Sequence, residues 1–446
     1  MGVGGVLLLT LSNTTPACSL YVVVPGIIQQ AGAGALIVMG AAALISLAMA
    51  FVYAELASAF PLAGGDYAML GRALGPAVGF VLMGGNAITG AMASTGLALG
   101  ASAYVASFWP GAEPVPVAIA IIAGATMIGV LNIRVNAWVT GLFLLVELLA
   151  ILVIAALGFS HVHRPLLGLI QHPMVLGGAG LRATPIGALG SATAVGVSAY
   201  FGFSQAVYFG EEMREARLKV ARTILWALAL TVTLEFLPLA AVLLGAPDLK
   251  RLLASPSPFS DFLQDSGGHG LRVTVGLAIA VAVVNAVIVG TLIIGRFFYS
   301  TGRDQVWHRI VNRALVKVHP RFDSPWVATL LAGAVGIAAC FLPFALILVL
   351  TGTSMVLLYG FACVGVIVGR FTRRTAHTDY RMPLFPLAPA LGLMALAYIL
   401  YSEWADLKVG RPSLIANLLV LLAALVCYLL NRKTLGATWL TVDPAE

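Results

Sequence analysis

Twelve runs of apolar residues, each long enough to cross a bilayer, leave this chain few folds to choose from. They occupy approximately residues 6–28, 34–59, 77–107, 115–133, 138–159, 186–210, 223–246, 272–298, 325–343, 345–369, 383–403 and 412–431. A run of about 20 apolar residues spans the hydrocarbon as a helix. No ten-residue pattern of alternating hydrophobicity occurs, so helices and not a β-barrel are expected. The composition agrees: 60% of the residues are hydrophobic and 10% are charged, with a mean hydropathy of +0.99. A soluble chain carries roughly 25% charged residues, which excludes that class. The first run has neither a basic leader nor a small-residue cleavage site and reads as a spanning helix, not a signal peptide. The division between spans 9 and 10 falls near Pro343.

The net charge of +7 is explained by its distribution. With the N-terminus inside, 18 Lys and Arg residues fall in cytoplasmic segments and 7 in external ones. Such asymmetry sets orientation, so both termini are expected in the cytoplasm, as in a plasma-membrane protein. It also removes any need for a nucleic-acid partner. The bilayer itself is the expected surroundings, with basic loops near anionic headgroups. Cys18, Cys340, Cys363 and Cys427 lie in apolar segments at unrelated spacings, giving neither a disulfide framework nor a metal site. His161, His163 and His172 fall in the external loop 160–185 and read as solvated side chains. The loop 60–76 is broken by Pro61 and Gly64-Gly65, and Tyr67 to Leu74 is expected as a short interfacial helix. The loop 246–271 is turn-rich, and residues 432–446 form a short tail.

Within span 1, residues 10–26 read TLSNTTPACSLYVVVPG. Two prolines and the cluster Ser12, Asn13, Thr14, Thr15 and Ser19 would be costly in lipid, at several kcal/mol for each unpaired group. A helix that breaks here and lines a cavity resolves the cost, and such breaks point to transporter binding sites. A proline-kinked helix with hydroxyls bonded to the i−4 carbonyls is the other reading. Span 6 carries a second interruption from Ser198 to Gln205, where Gly202, Ser204 and Gln205 stand among aromatics. Spans 1 and 6 are five apart and therefore run in opposite directions. Two interrupted helices at matching positions of antiparallel halves mark an inverted repeat. The expected halves are residues 1–159 (helices 1–5) and 186–369 (helices 6–10), with helices 11–12 and the tail over 383–446.

Several stretches then become specific. Residues 54–67 (AELASAFPLAGGDY), 207–214 (VYFGEEMR), 285–304 (NAVIVGTLIIGRFFYSTGRD) and 318–328 (VHPRFDSPWVA) resemble helices 2, 6 and 8 and the following loop of the amino acid–polyamine–organocation permease superfamily. The resemblance covers nearly the whole chain in order. It implies an all-α membrane protein of about 12 transmembrane helices with the leucine-transporter-type 5+5 inverted repeat plus two extra helices. It also implies an amino acid or amine bound between broken helices 1 and 6. This chain departs from the family where the Gly-rich break is Ala17-Cys18-Ser19, and where the serine before the helix 8 arginine is Gly295. A hydroxyl at that point belongs near the sodium site of sodium-coupled relatives, so its loss argues against sodium.

Helix termini offer the chemistry for such a substrate. The amides of Ala17, Cys18 and Ser19, after Thr15 and Pro16, are expected to face a carboxylate. Carbonyls around Ala199 to Phe201, beside Gly202, suit an ammonium group, and Phe201 and Phe203 can close over the ligand or simply pack between helices. Two carboxylates, Glu147 in span 5 and Glu235 in span 7, fall near mid-membrane with no Lys, Arg or His well inside any span. An unpaired ionised carboxylate there is costly. Each is therefore expected to be protonated for part of a cycle, or to face an ammonium, a cation or water. Matching residues 136–150 to the family's fifth helix places Glu147 where proton-coupled relatives have a lysine. A neutral structural acid is the alternative for either residue.

The sum is a secondary-active permease for an amino acid, proton-coupled, with an amine or polyamine permease or an exchanger as alternatives. No cofactor and no obligatory protein partner are implied. A channel would want a selectivity ring, and an enzyme a metal or nucleophile constellation such as HExxH or GxSxG; none stands out. A receptor that binds without transporting is the remaining rival.

Overall fold

The computed structural model describes residues 2–108, 111, 113–131, 133–177, 180–408 and 410–435. Most of the tail expected over 432–446 therefore lies outside the described residues. Span 1 is α1 (Val3–Thr14), α2 (Pro16–Cys18), a π-helical stretch Ser19–Val23 and α3 (Val24–Ala31). Spans 2 to 5 are α4 (Ala35–Ala59), α6 (Pro76–Phe108), α7 (Pro114–Gly129) and α8 (Ile133–Ser160), with α5 (Asp66–Leu74) between α4 and α6. Span 6 is α10 (Ile186–Ala199) followed by a 3-10 stretch Phe203–Glu212. Spans 7 to 12 are α11 (Ala216–Gly245), α13 (Pro258–Arg303), α15 (Trp326–Ala339), α16 (Phe344–Phe371), α17 (Leu387–Ala405) and α18 (Gly410–Leu435). Connections carry α9 (Leu166–Gln171), α12 (Leu249–Ala254) and α14 (Arg309–Leu315).

Nine helical segments among the described residues are long and apolar enough to cross a membrane, the first covering both span 1 and span 2. α7 and α15 are the short apolar pair, at 16 and 14 residues. At 1.5 Å per residue they reach roughly 24 and 21 Å, short of the hydrocarbon thickness of about 30 Å. Pro343 caps the start of α16, which fixes the uncertain boundary between spans 9 and 10.

The packing follows a pattern. α4 lies along α11, α6 along α13 and α7 against α15, while α1 and α3 meet the 3-10 stretch and α10. Each span of the first four thus touches the span five further on. The buried hydroxyls are handled locally: Thr10, Thr14, Thr126, Thr140, Thr231 and Thr291 each donate to the carbonyl four residues back. That satisfies them without a neighbour in a medium that offers no water.

Two loops differ from expectation. Residues 160–185 hold α9 and a hairpin, β1 (Met174–Gly177) antiparallel to β2 (Gly180–Ala183), with Val175 opposite Arg182. The hairpin packs over the end of α3, where Thr184 Oγ1 donates to Ala31 O (3.0 Å). α5 forms as a short helix but is covered by the bundle: Tyr67, Ala68, Met69 and Leu70 are fully buried beneath α6 and α16.

At the same end of the bundle, Glu55 of α4 is 1% exposed and accepts from Arg370 Nε of α16 (2.7 Å) and Met382 N (2.8 Å). Tyr380 N donates to Ser58 Oγ (3.0 Å), so one carboxylate and one hydroxyl hold loop 372–386 onto α4. Removing one member of a buried pair strands the other, at about 3–5 kcal/mol. Arg370→Met is expected to lower the melting temperature of the purified protein, and adding Glu55→Gln to recover most of the loss. Equal melting of Arg370→Met and the wild type would show that the pair does not hold this end.

Candidate functional site

The two interruptions lie against each other. Pro16 lacks an N–H and disfavours helical geometry at the residue before it. Thr15 leaves the helix in a left-handed conformation (φ 47°, ψ 73°), and its N–H closes α1 on Leu11 O (2.9 Å). The helix restarts at Pro16. In span 6 the helix stops at Ala199, and Gly202 turns the chain with φ 117° before the 3-10 stretch begins. A Cβ on Gly202 would stand 2.6 Å from Thr14 Oγ1, so the second break is seated on the first. Ser19 Oγ donates to Ala199 O (2.9 Å), which joins them again. The helix breaks here, and its hydroxyls also bond locally: Thr14 Oγ1 donates to Thr10 O (2.9 Å) and Thr15 Oγ1 to Ser12 O (2.9 Å).

The first turn of a helix leaves N–H groups without partners. Ala17 N–H is such a group, and it donates to Glu147 Oε1 of α8 at 2.9 Å. Cys18 and Ser19 N–H turn back to Thr15 O (2.9 and 3.3 Å). The amides expected to await a substrate carboxylate are therefore engaged in this structure, one of them by a carboxylate of the chain itself. Glu147 is fully buried and its Oε2 has no hydrogen-bond partner. Glu235 of α11 is fully buried, close to Ser19 and within electrostatic reach of Glu147, and neither of its oxygens completes a hydrogen bond. Among the described residues no Lys, Arg or His forms an ion pair with either.

The aromatic wall is larger than expected. Phe201 stacks on Tyr359 of α16 (centroids 4.9 Å apart), and Phe203 meets Tyr53 of α4 edge-on at 6.4 Å. Tyr359 shares a hydrogen bond with Ser204 (3.1 Å). Tyr53 and Tyr359 carry no sequence signal, because an aromatic in an apolar run looks like any packing residue. Thr15, Ala17, Ser19, Ala199, Gly202 and Phe203 are buried, while Cys18 and Phe201 are partly exposed. The breaks are thus closed around little free space. Elsewhere in the spans, Thr89 and Ser94 line a cavity, whereas Thr95 donates to Gly336 O (2.9 Å) and Asn285 to Thr140 O (3.0 Å).

Towards the end that carries loops 60–65 and 304–325, charged groups tie span 6 to span 8. Glu211 bonds Arg303 (2.8 Å) and accepts from Ala63 N (2.8 Å), and Glu212 bonds Arg296 (2.6 Å). Tyr67 Oη donates to Asp304 Oδ2 and shares a hydrogen bond with Ser300 Oγ, both at 2.8 Å. Glu211 and Glu212 thus meet arginines of span 8, while Glu55 pairs with Arg370 and Asp66 meets a tyrosine. A cavity of about 720 Å³, bordered by Glu211, Glu212, Arg214, Lys219, Arg296 and Asp323, opens beside this network. Among the described residues, no group of three or more His, Cys, Asp or Glu is placed to hold a metal.

Gly202→Ala forces a side chain into a conformation that costs about 1–2 kcal/mol and into Thr14 as well. It is expected to lower the melting temperature more than Gly196→Ala, in the middle of α10. Equal effects would mean that the two breaks are not seated on each other.

Comparison with known proteins gives a consistent answer. The family described as "Amino acid permease" matches residues 5–430. An uncharacterized transporter of Mycobacterium tuberculosis is 29% identical over 382 residues, 83% of this chain and 79% of that protein. The branched-chain amino acid permease BcaP of Bacillus subtilis is 24% identical over 424 residues, 90% of this chain and 86% of its own length. The b(0,+)-type amino acid transporter 1 of Mus musculus is 25% identical over 369 residues, 78% and 71% of the two chains.

Proposed function

The chain belongs to the amino acid permease family, and from that premise we propose that it is a proton-coupled secondary-active transporter of a neutral amino acid. Substrate binds between the two breaks, with Thr15, Ala17, Cys18 and Ser19 on one side and Ala199, Phe201, Gly202 and Phe203 on the other. Residues 1–159 and 186–369 act as inverted five-helix repeats, supported by the contact of each early span with the span five further on. Helices 11 and 12, in 383–446, are an addition. The distribution of Lys and Arg supports cytoplasmic termini and the plasma membrane.

One observation carries the coupling: the Ala17 N–H at the break is held by Glu147. An ionised carboxylate is a much stronger acceptor than a neutral acid. Protonation of Glu147 weakens this bond and leaves Ala17 N–H for the substrate carboxylate. A proton and a substrate therefore promote each other's binding, while the protein's own ionised carboxylate excludes the substrate's. Glu235, without a hydrogen-bond partner beside Ser19, supplies a second acceptor for the proton or for the substrate ammonium. The aromatic wall of Phe201, Phe203, Tyr53 and Tyr359 suits an apolar side chain, in keeping with a relative named for branched-chain amino acids. Release to the cytoplasm requires the Glu211–Arg303 and Glu212–Arg296 contacts to part.

Glu235 also favours a second reading, an amine or polyamine permease, or an exchanger of cationic substrates, since two unpartnered carboxylate oxygens suit an organic cation. Competition separates the two: leucine is expected to block uptake and putrescine to leave it unchanged.

Uptake into proteoliposomes is expected to rise as external pH falls, because the protonated form of Glu147 is the binding-competent one. Glu147→Gln keeps an acceptor for Ala17 N–H but cannot ionise. It is expected to exchange substrate across the membrane and to lose accumulation driven by a proton gradient. Gradient-driven accumulation by this variant would refute the role of Glu147.

A further inference from the structure

A second polar cavity, of about 140 Å³, lies between α6, α13, α16 and α18. It shares Asn13 and Gln205 with the neighbourhood of the breaks, but Ala17, Cys18, Ser19, Glu147 and Glu235 do not border it. Its most unusual lining residue is Asp66, at the first position of α5. The sequence places Asp66 in a loop and suggests a solvated charge; the structure leaves it 3% exposed.

The local geometry shows why. Gly65 has φ 60°, and any Cβ there would stand 2.5 Å from the Tyr208 ring. The glycine lets the chain pass directly beneath that ring, which sets Asp66 against the Tyr208 hydroxyl. Tyr208 donates to Asp66 Oδ2 (2.8 Å) and accepts from Asn86 Nδ2 (2.8 Å), so its hydroxyl is fully used. Asp66 Oδ1 is buried with no hydrogen-bond partner, and so is Gln205 Oε1 (residue 8% exposed). Tyr53 approaches the same carboxylate without completing a hydrogen bond.

The lining holds one acid and no Lys, Arg or His. Two buried oxygens, one of them anionic, border a space with room for several waters or one small cation. A buried carboxylate without a cation is costly, and one negative charge is matched by one positive charge. The absence of a multi-carboxylate or histidine cluster argues against a divalent metal. We propose that this cavity is a binding site for a singly charged cation, coordinated by Asp66 and Gln205. An inorganic ion such as sodium or potassium and a small ammonium group share this chemistry.

Burial shifts the Asp66 carboxyl upward from the ordinary range, while the hydroxyls of Tyr208 and Tyr53 pull it back. The titratable groups facing it are Tyr53 of α4, Tyr208 of the 3-10 stretch and Tyr359 of α16. A cation needs the ionised acid, so proton and cation compete, and binding weakens as pH falls.

The test uses the full-length purified protein in N-methylglucamine buffer at constant ionic strength. Sodium, potassium or methylammonium chloride is titrated and the melting temperature read. A saturable rise with one of the three, smaller at lower pH, is expected, and the responding ion identifies the source. Asp66→Asn keeps the Tyr208 contact and is expected to lose the rise. Gln205→Met leaves the carboxylate in place and is expected to weaken the cation about tenfold, the loss of one charge-assisted contact. No saturable rise with any of the three, or an undiminished rise in both variants, overturns the site. Binding is read without flux, so a failure of the transport reading leaves this result unaffected, and the reverse.

Discussion

A backbone N–H that its own helix cannot use is joined at Ala17 to a carboxylate that has no cation, Glu147. Neither group would be stable alone in hydrocarbon, where an unsatisfied polar group costs several kcal/mol. Each exists because the other is there. The proline at 16 creates the free donor, the left-handed turn at Thr15 aims it, and α8 brings the acceptor across the bundle. The close packing of the second break follows from the same need, since Ser19 and Ala199 satisfy one another.

The remainder of the interior is arranged to leave this region polar. Threonines in the spans close on their own helices, so they make few demands on neighbours. Charged pairs are concentrated at one end, where Glu55, Glu211 and Glu212 meet arginines of spans 8 and 10. That leaves Glu147 and Glu235 near the breaks, and Asp66 further along, as buried acids without an ion pair among the described residues. A pair of acids in reach of each other, at the meeting point of two broken helices, is a place where charge state and backbone geometry are coupled.

Much of the architecture is legible in the sequence because the bilayer imposes a length. Twelve apolar runs correspond to the spans, and Pro343, Pro16 and Gly202 stand at boundaries that the backbone chemistry of proline and glycine marks in advance. What was missed shares one cause. The hairpin at 174–183 is too short for a periodic signal, and nothing local says that α6 and α16 cover α5. Asp66 reads as solvated for the same reason, and Tyr53, Tyr208 and Tyr359 are indistinguishable from packing residues until their neighbours are known.

By itself the sequence determined an all-helical membrane protein, the places where two helices must break, and the two acids with no cation inside the spans. Proline geometry, glycine's freedom and the cost of charge in lipid act on single residues or short stretches, so they can be read along the chain. Only the tertiary structure decided which partners those groups take. Glu147 reaches an amide 130 residues away. Asp66 meets Tyr208 over a cavity, and Arg370 of span 10 neutralises Glu55. These pairings depend on how the helices cross, which is set by the packing of whole faces and not by any local pattern.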